Sequence, residues 1–335
     1  MATINDVAKL AGVSPTTAKR ALNEPHKLQP ATLQKVQWAI EQLDYEPDLT
    51  AGALRRGRNL TVGLLVGDIV EPFFAELARG IGDHLRKANY GLLLADSGYQ
   101  SEIERHNLRH LAGQRVSALI IRPAYGQHNR DYLLKMQEKG TYIIEVDHHM
   151  DDSPFDFLML HHEQCIQLGL QHLWKLGHTR IAGLGIHHPE LHPEWRAYHF
   201  ERIMKGKGYA IPDAYRRLIE YNEHEAYLLA RDLLQLPERP TALFAFNGTE
   251  AIGAYRAIQE LGLRIPEDIS LLAFDNLTWT SLVKPGIDVI EQPVHDMAAL
   301  LTRQVLQNID GAGKPMKKLM EGKLVVRGSC AAPAF

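Results

Sequence analysis

From residue 61 onward the chain alternates short, nearly continuous apolar runs with amphipathic helical segments, and this alternation restricts its fold more than any other feature. The runs fall at 61–66, 92–96, 118–121, 142–146, 181–184, 218–221, 243–246 and 269–274, with helical spacing clearest over 74–87 and 102–111. Strands apolar on both faces and separated by helices are the mark of parallel sheets covered on each side. So many units exceed one ordinary sheet, and 335 residues exceed one ordinary core, so two α/β lobes are expected. Open parallel sheets bind ligands beyond the carboxyl ends of their strands. The residues at those ends are Asp68, Arg122, Asp147, Asn247 and Asp275. Carboxylates, an amide and arginines suit a hydroxyl-rich ligand, although any single strand-end Asp also serves as a helix cap or loop contact.

Composition excludes several classes. Hydrophobic residues at 45% and charged residues at 23% exclude a disordered or fibrous chain. No apolar run approaches the roughly 20 residues of a membrane span, so no membrane partner is expected. Residues 1–6 lack the pattern of a secretory signal, and two cysteines without metal-like spacing fit a reducing cytoplasm. There is no GxSxG, P-loop, GxGxxG after a strand, or HExxH, which points to binding without catalysis and without a cofactor. Seventeen histidines include His148-His149, His161-His162, His187-His188 and His192. Pro189 and Pro193 break any helix that would align His187 or His188 with His192, so these are read as loop histidines and no metal is expected.

The first sixty residues read differently. Thr3-Ile4-Asn5-Asp6 is a capping box ahead of a two-turn helix with Val7, Ala8, Leu10 and Ala11 as its apolar face. Gly12 closes that helix, and Ser14-Pro15 opens a second with Thr16, Thr17, Lys19 and Arg20 outward and Ala18, Ala21 and Leu22 inward. A third follows Pro30, with Leu33, Val36, Ile40 and Leu43 inward. Residues 1–58 carry a net charge of +2 within a chain of −3. Basic residues cluster at Lys19-Arg20 and Arg55-Arg56-Gly57-Arg58, a local patch of the kind that steers toward phosphate. Helix, glycine-bearing turn and helix fit a DNA-reading unit, but periodicity alone also fits a small interaction or dimerisation module.

The residues Ile4-Asn5-Asp6-Val7-Ala8-Lys9-Leu10-Ala11-Gly12-Val13-Ser14 and Thr17-Ala18-Lys19-Arg20-Ala21-Leu22-Asn23 decide between these. They resemble the headpiece of the lactose/galactose repressor (LacI/GalR) family of bacterial transcriptional regulators. Tyr45-Glu46-Pro47 and Ala51-Gly52-Ala53-Leu54-Arg55 resemble its third-helix end and hinge. Glu71-Pro72-Phe73-Phe74, Leu176-Gly177-His178, Phe274-Asp275-Asn276, Gln292-Pro293 and Val326-Arg327-Gly328-Ser329 continue the likeness through the chain. The resemblance implies a helix-turn-helix headpiece over 1–46, a hinge helix and linker over 47–60, and a two-lobed periplasmic-binding-protein-like core over 61–335 with parallel sheets.

It also assigns roles. Pro15 and Thr16 stand where the family reads bases, with Thr17 and Arg20 on the same helix. Lys19 replaces the usual serine there and is either an added guanine or phosphate contact or a solvated lysine. Leu54 matches the hinge leucine that wedges into the minor groove and kinks DNA. Arg55, Arg56 and Arg58 either contact the adjacent backbone or link the hinge onward. Gly52 costs the hinge helix about 1 kcal/mol relative to Ala, so folding of the hinge on DNA is expected. Arg196 and Asp275 are the leading effector contacts, with Phe73 and Tyr221 as stacking rings and Asn247, Gln292 and Asp147 as further contacts. Trp195 either stacks on the ligand or packs. His199 and Gly248 stand where the family usually has glycine and aspartate, so effector identity does not transfer from a relative.

The expected protein is a homodimer binding a palindromic double-stranded operator, its affinity set by a small polar effector. A carbohydrate is the first choice and a purine-like corepressor the second. A solute receptor and a sugar-modifying enzyme are the competing classes. The residues after Cys330 lack an apolar heptad, so a dimer is expected rather than a tetramer.

Overall fold

A computed structural model describes residues 2–46, 59–185, 195–215 and 223–334. The chain divides into two compact units, Met1–Leu60 and Thr61–Phe335. The hinge residues Leu54 and Arg55, the 218–221 run with Tyr221, and His187, His188 and His192 lie outside the described residues.

In the first unit, α1 (Ile4–Ala11) starts at the capping box of Thr3 and Asp6 and ends at Gly12, whose φ of 65° requires the left-handed region. Helix α2 (Pro15–Asn23) is capped by Ser14, and α3 (Pro30–Gln42) starts at Gln29 without a side-chain cap. Val7, Ala8, Ala11, Ala18, Ala21, Val36 and Ala39 make the core. Alanines let these short helices approach closely. Leu10, read from spacing as inward, is instead exposed, because α1 is too short to bury more than one narrow stripe.

The second unit holds two sheets. The first has strand order β10-β5-β4-β3-β1-β2, every pairing parallel: β1 (Thr61–Val66), β2 (Gly91–Asp96), β3 (Ala118–Ile121), β4 (Tyr142–Val146), β5 (Asp156–Leu160) and β10 (Lys317–Met320). Helices α4 (Pro72–Lys87), α5 (Ser101–Gly113), α6 (Arg130–Glu138) and α12 (Val294–Ile309) cover its faces, with separate buried clusters around Phe74, Leu77 and Ile81 and around Leu108, Leu111 and Leu133. The second sheet runs β11-β9-β8-β7-β6: β6 (Ile181–Leu184), β7 (Ala242–Ala245), β8 (Ser270–Phe274), β9 (Asp288–Glu291) and β11 (Lys323–Val325). Only the edge strand β11 is antiparallel. Around it lie α7 (His162–Lys175), α8 (Arg196–Gly206), α9 (Glu223–Leu234), α10 (Gly248–Glu260) and α11 (Thr278–Leu282). The chain passes between the sheets after β5, after β9 and after β10, so three short segments join the lobes.

Strands β10 and β11 escaped the apolar pattern because they are short edges bearing Lys317, Lys318 and Lys323, the composition that blunts an edge. Strand β5 also went unread, since only three residues separate its start from the end of the preceding loop Asp151-Asp152 and a helix follows at once.

Candidate functional site

Ser14 Oγ accepts from Thr17 N at 3.1 Å and lies 2.9 Å from Thr17 Oγ1, fixing the start of α2. Pro15, Thr16, Lys19 and Arg20 are exposed, while Thr17 is half-buried with its hydroxyl held in the cap. The outer face of α2 therefore offers one hydroxyl, one ammonium and one guanidinium. Arg20 sits 4.0 Å from Glu24, whose carboxylate is also held by Lys27 at 2.7 Å. Such exposed pairs are weak and easily exchanged for a base edge or phosphate.

The second site is a cleft between the two lobes. Phe73, Arg122, Asp147, Arg196, Asn247, Asp275 and Gln292 all line it, drawn together from separate strand ends. Asp68 does not. Its carboxylate accepts the Val70 N–H at 2.8 Å, the loop role open to any strand-end Asp.

On the first lobe, the Arg122 guanidinium lies 4.6 Å from the Tyr99 ring and 4.4 Å from the Tyr125 ring, and these rings stack at 5.7 Å. Its Nη1 donates to Pro123 O at 2.6 Å, and its Nε is 3.6 Å from Asp147 Oδ2. Tyr99 donates to Glu71. Across the cleft, Trp195 packs on Tyr125 at 4.6 Å, so its ring faces the site.

On the second lobe, Arg196 lies over the Phe274 ring at 4.1 Å, donates from Nε to His162 Nδ1 at 3.2 Å, and donates from Nη1 to Phe246 O. Burial, reinforced by Arg196, holds His162 well below the usual histidine range, so this ring is neutral. Asp275 accepts from Gln292 Nε2 at 2.7 Å and from Gly248 N at 3.2 Å, and burial raises it above the usual carboxylate range. A side chain at Gly248 would meet Leu277 at 2.5 Å, which accounts for the glycine there. Asn247 caps α10 through Oδ1, accepting from Glu250 N at 2.8 Å.

Glu250 is the cleft residue the sequence reading missed. It is fully buried, one oxygen accepts from Phe246 N at 3.2 Å, and burial pushes it up to about 8 against the pull of Asn247 and Arg196. Its signal is present as Asn247-x-x-Glu250, the spacing of a helix cap. Tyr99, Tyr125 and His148 were also missed; they sit in loops that periodicity does not place.

The native state holds the Glu250 proton more tightly than the unfolded chain, so its contribution is unimpaired at acid pH and is lost as pH rises from about 5 to about 8. In Glu250→Gln this slope should vanish, and melting curves across that range should show the variant gaining on the parent as pH rises. Parallel curves would rule it out.

Two family models match the chain. That for bacterial regulatory proteins of the lacI family covers residues 3–48, and that for a periplasmic binding protein-like domain covers 170–330. The HTH-type transcriptional repressor PurR of Vibrio vulnificus (strain CMCP6) is 33% identical over 297 residues, 88% of this chain and 87% of that protein. Its counterpart in Aliivibrio fischeri (strain MJ11) is 31% identical over 334 residues, 98% of each chain. The chain belongs to the lacI family of bacterial regulatory proteins. The Lac repressor bound to ONPG in its repressed state matches this regulator with a TM-score of 0.84 at 25% identity over 98% of this chain and 99% of that one. The Lac repressor dimer bound to operator and the anti-inducer ONPF shares the fold, with a TM-score of 0.83 at 24% identity over 99% of each. The regulator is thus a ligand-controlled DNA-binding repressor with a helix-turn-helix headpiece and a two-lobed α/β core. No helix among its described residues is long and apolar enough to cross a membrane.

Proposed function

We propose that this regulator is a cytoplasmic homodimer that reads a palindromic operator and whose operator affinity is set by a small, uncharged, hydroxyl-rich effector, a monosaccharide or short oligosaccharide. One observation carries the effector class. Arg122 Nε, Glu250 Oε1 and Gln292 Oε1 are buried polar atoms of the cleft with no hydrogen-bond partner among the described residues. Buried polar atoms are rarely left unpaired. Here they offer one donor and two oxygens to whatever fills the cleft, and hydroxyls serve both. Glu71 and Asp147 stand against Arg122 and Arg196, and burial holds Glu250 and Asp275 above the usual carboxylate range, so the cleft has no surplus positive charge to hold a phosphorylated or carboxylated ligand. A purine-like corepressor is the second reading, supported by the flat rings of Phe73, Tyr125 and Trp195 and by the PurR relatives.

Dimerisation is supported by Leu93 and Leu94, exposed on the edge strand β2, and by the exposed Leu282. Pro15, Thr16, Thr17, Lys19 and Arg20 read the half-site, with Leu54 and Arg55 as the hinge contacts. Effector-driven closure of the lobes changes the spacing of the two headpieces in the dimer, which converts differential ligand affinity into operator affinity.

Fluorescence anisotropy on operators selected from genomic DNA, with and without glucose, galactose, cellobiose, hypoxanthine and guanine, tests this reading. A neutral sugar that shifts operator affinity supports it, and a response confined to the purines selects the second. Arg20→Ala should weaken operator binding by about 1–3 kcal/mol while lowering non-specific binding much less. Equal losses on both DNAs would make Arg20 a phosphate contact.

A further inference from the structure

Along the solvent face of α5, Glu102, His106 and His110 recur every four residues, above the buried Glu104, Leu108 and Leu111. The two imidazole centroids are 4.5 Å apart and their Nε2 atoms 3.0 Å apart. Histidines at i and i+4 on one helix face are a familiar pair of metal donors. With metal–nitrogen bonds of about 2.0–2.1 Å, nitrogens 3.0 Å apart are already within reach of one shared ion at roughly a right angle. Imidazole donors suit nickel(II) and copper(II), which stand high in the affinity order of the divalent first-row ions.

We propose that His106 and His110 form a bidentate site for a divalent late transition ion of right-angle coordination, the nickel(II) and copper(II) class. Both rings bind through Nε2, the proton of the present Nε2–H···Nε2 contact moving to Nδ1 of its own ring. Water fills the remaining positions. The ion clamps the turn that carries Asn107, whose Nδ2 donates to Asp96 O at 2.7 Å at the end of β2. Glu104, on the same helix, accepts from Ala124 N at 2.5 Å, two residues beyond Arg122. Metal loading therefore stiffens the helix that buttresses one wall of the cleft.

With seventeen histidines in the chain, the diagnostic quantity is the difference between variants. Equilibrium dialysis of the full-length protein against NiCl2 should give the parent one tightly held Ni2+ more than either His106→Ala or His110→Ala. The double variant should lose no more than each single one. Affinity at the site should fall by more than the ten- to hundredfold that loss of an outer-sphere partner costs. Both side chains are exposed, so melting curves in EDTA should coincide with those of the parent. In Cu2+ electron paramagnetic resonance, the two-nitrogen coupling should disappear in either variant. Unchanged Ni2+ binding in either single variant would overturn the proposal. So would losses that add in the double variant, which would indicate separate single-ring sites, or a preference for Zn2+ over Ni2+ at the pair.

Discussion

Arg196→Ala is expected to abolish the effect of every cleft ligand on operator affinity while leaving operator binding by the ligand-free protein intact. The side chain meets Phe274, His162 and the Phe246 carbonyl, so its loss removes one wall of the cleft and the cation nearest two buried acids. Without it, burial of Asp275 and Glu250 is no longer offset by that positive charge, and both move further above the usual carboxylate range. A coupling of the usual 1–3 kcal/mol, about 5- to 150-fold in operator affinity, should fall to none. Anisotropy titrations with saturating effector measure it directly, and a retained response would remove Arg196 from the contacts. Arg196→Lys should not rescue, because a point charge cannot reach His162 and the Phe246 carbonyl together.

The second large effect lies away from the cleft. Asp288 is fully buried; Oδ1 accepts the backbone N–H groups of Arg327, Gly328 and Ser329 at 2.6, 2.7 and 3.3 Å, and Oδ2 lies 2.9 Å from His172 Nε2. Burial alone would raise this carboxyl, but His172 and the backbone donors outweigh it and hold it below the usual range. With Cys330 these residues resemble a metal cluster by proximity. However, the carboxylate is already engaged by the backbone, and burial raises the thiol well above its usual range. Their role is to fasten residues 327–330 to the second lobe. Asp288→Ala strands three N–H groups and should cost about 3–5 kcal/mol in urea unfolding. The depressed native pKa of Asp288 gives stability that is present above the ordinary carboxylate range and lost as pH falls through the native value. The gap between parent and variant should therefore narrow on acidification, and a constant gap would contradict it.

Much of this was readable from the chain because it depends on local rules. The Thr3–Asp6 box, Gly12 and Ser14-Pro15 are signals within a few residues of the structure they specify, and the parallel strands announce themselves by burial on both faces. Strand ends then named Arg122, Asp147, Asn247 and Asp275 as neighbours in a cleft, since topology alone brings those ends together. The same rule overreached at Asp68, where the carboxylate closes its own loop. It was silent on Tyr99, Tyr125 and Glu250. The tyrosines lie in loops whose path depends on packing between distant segments. Glu250 sits one helical turn beyond the strand end that was read, in a helix that otherwise reads as plain core.

Asp147 and Asp275 occupy matching places, one ending β4 and the other β8, with φ of 66° and 70° and each N–H given to the next strand, at Leu158 and Ile290. Few side chains other than Asn and Asp accept that backbone readily, so the same strained corner has been kept in both halves of the cleft. Both carboxyl groups line the cleft, one from each lobe. Held on such corners they are fixed anchor points, so the outline of a ligand must match the gap between them before either bond can form.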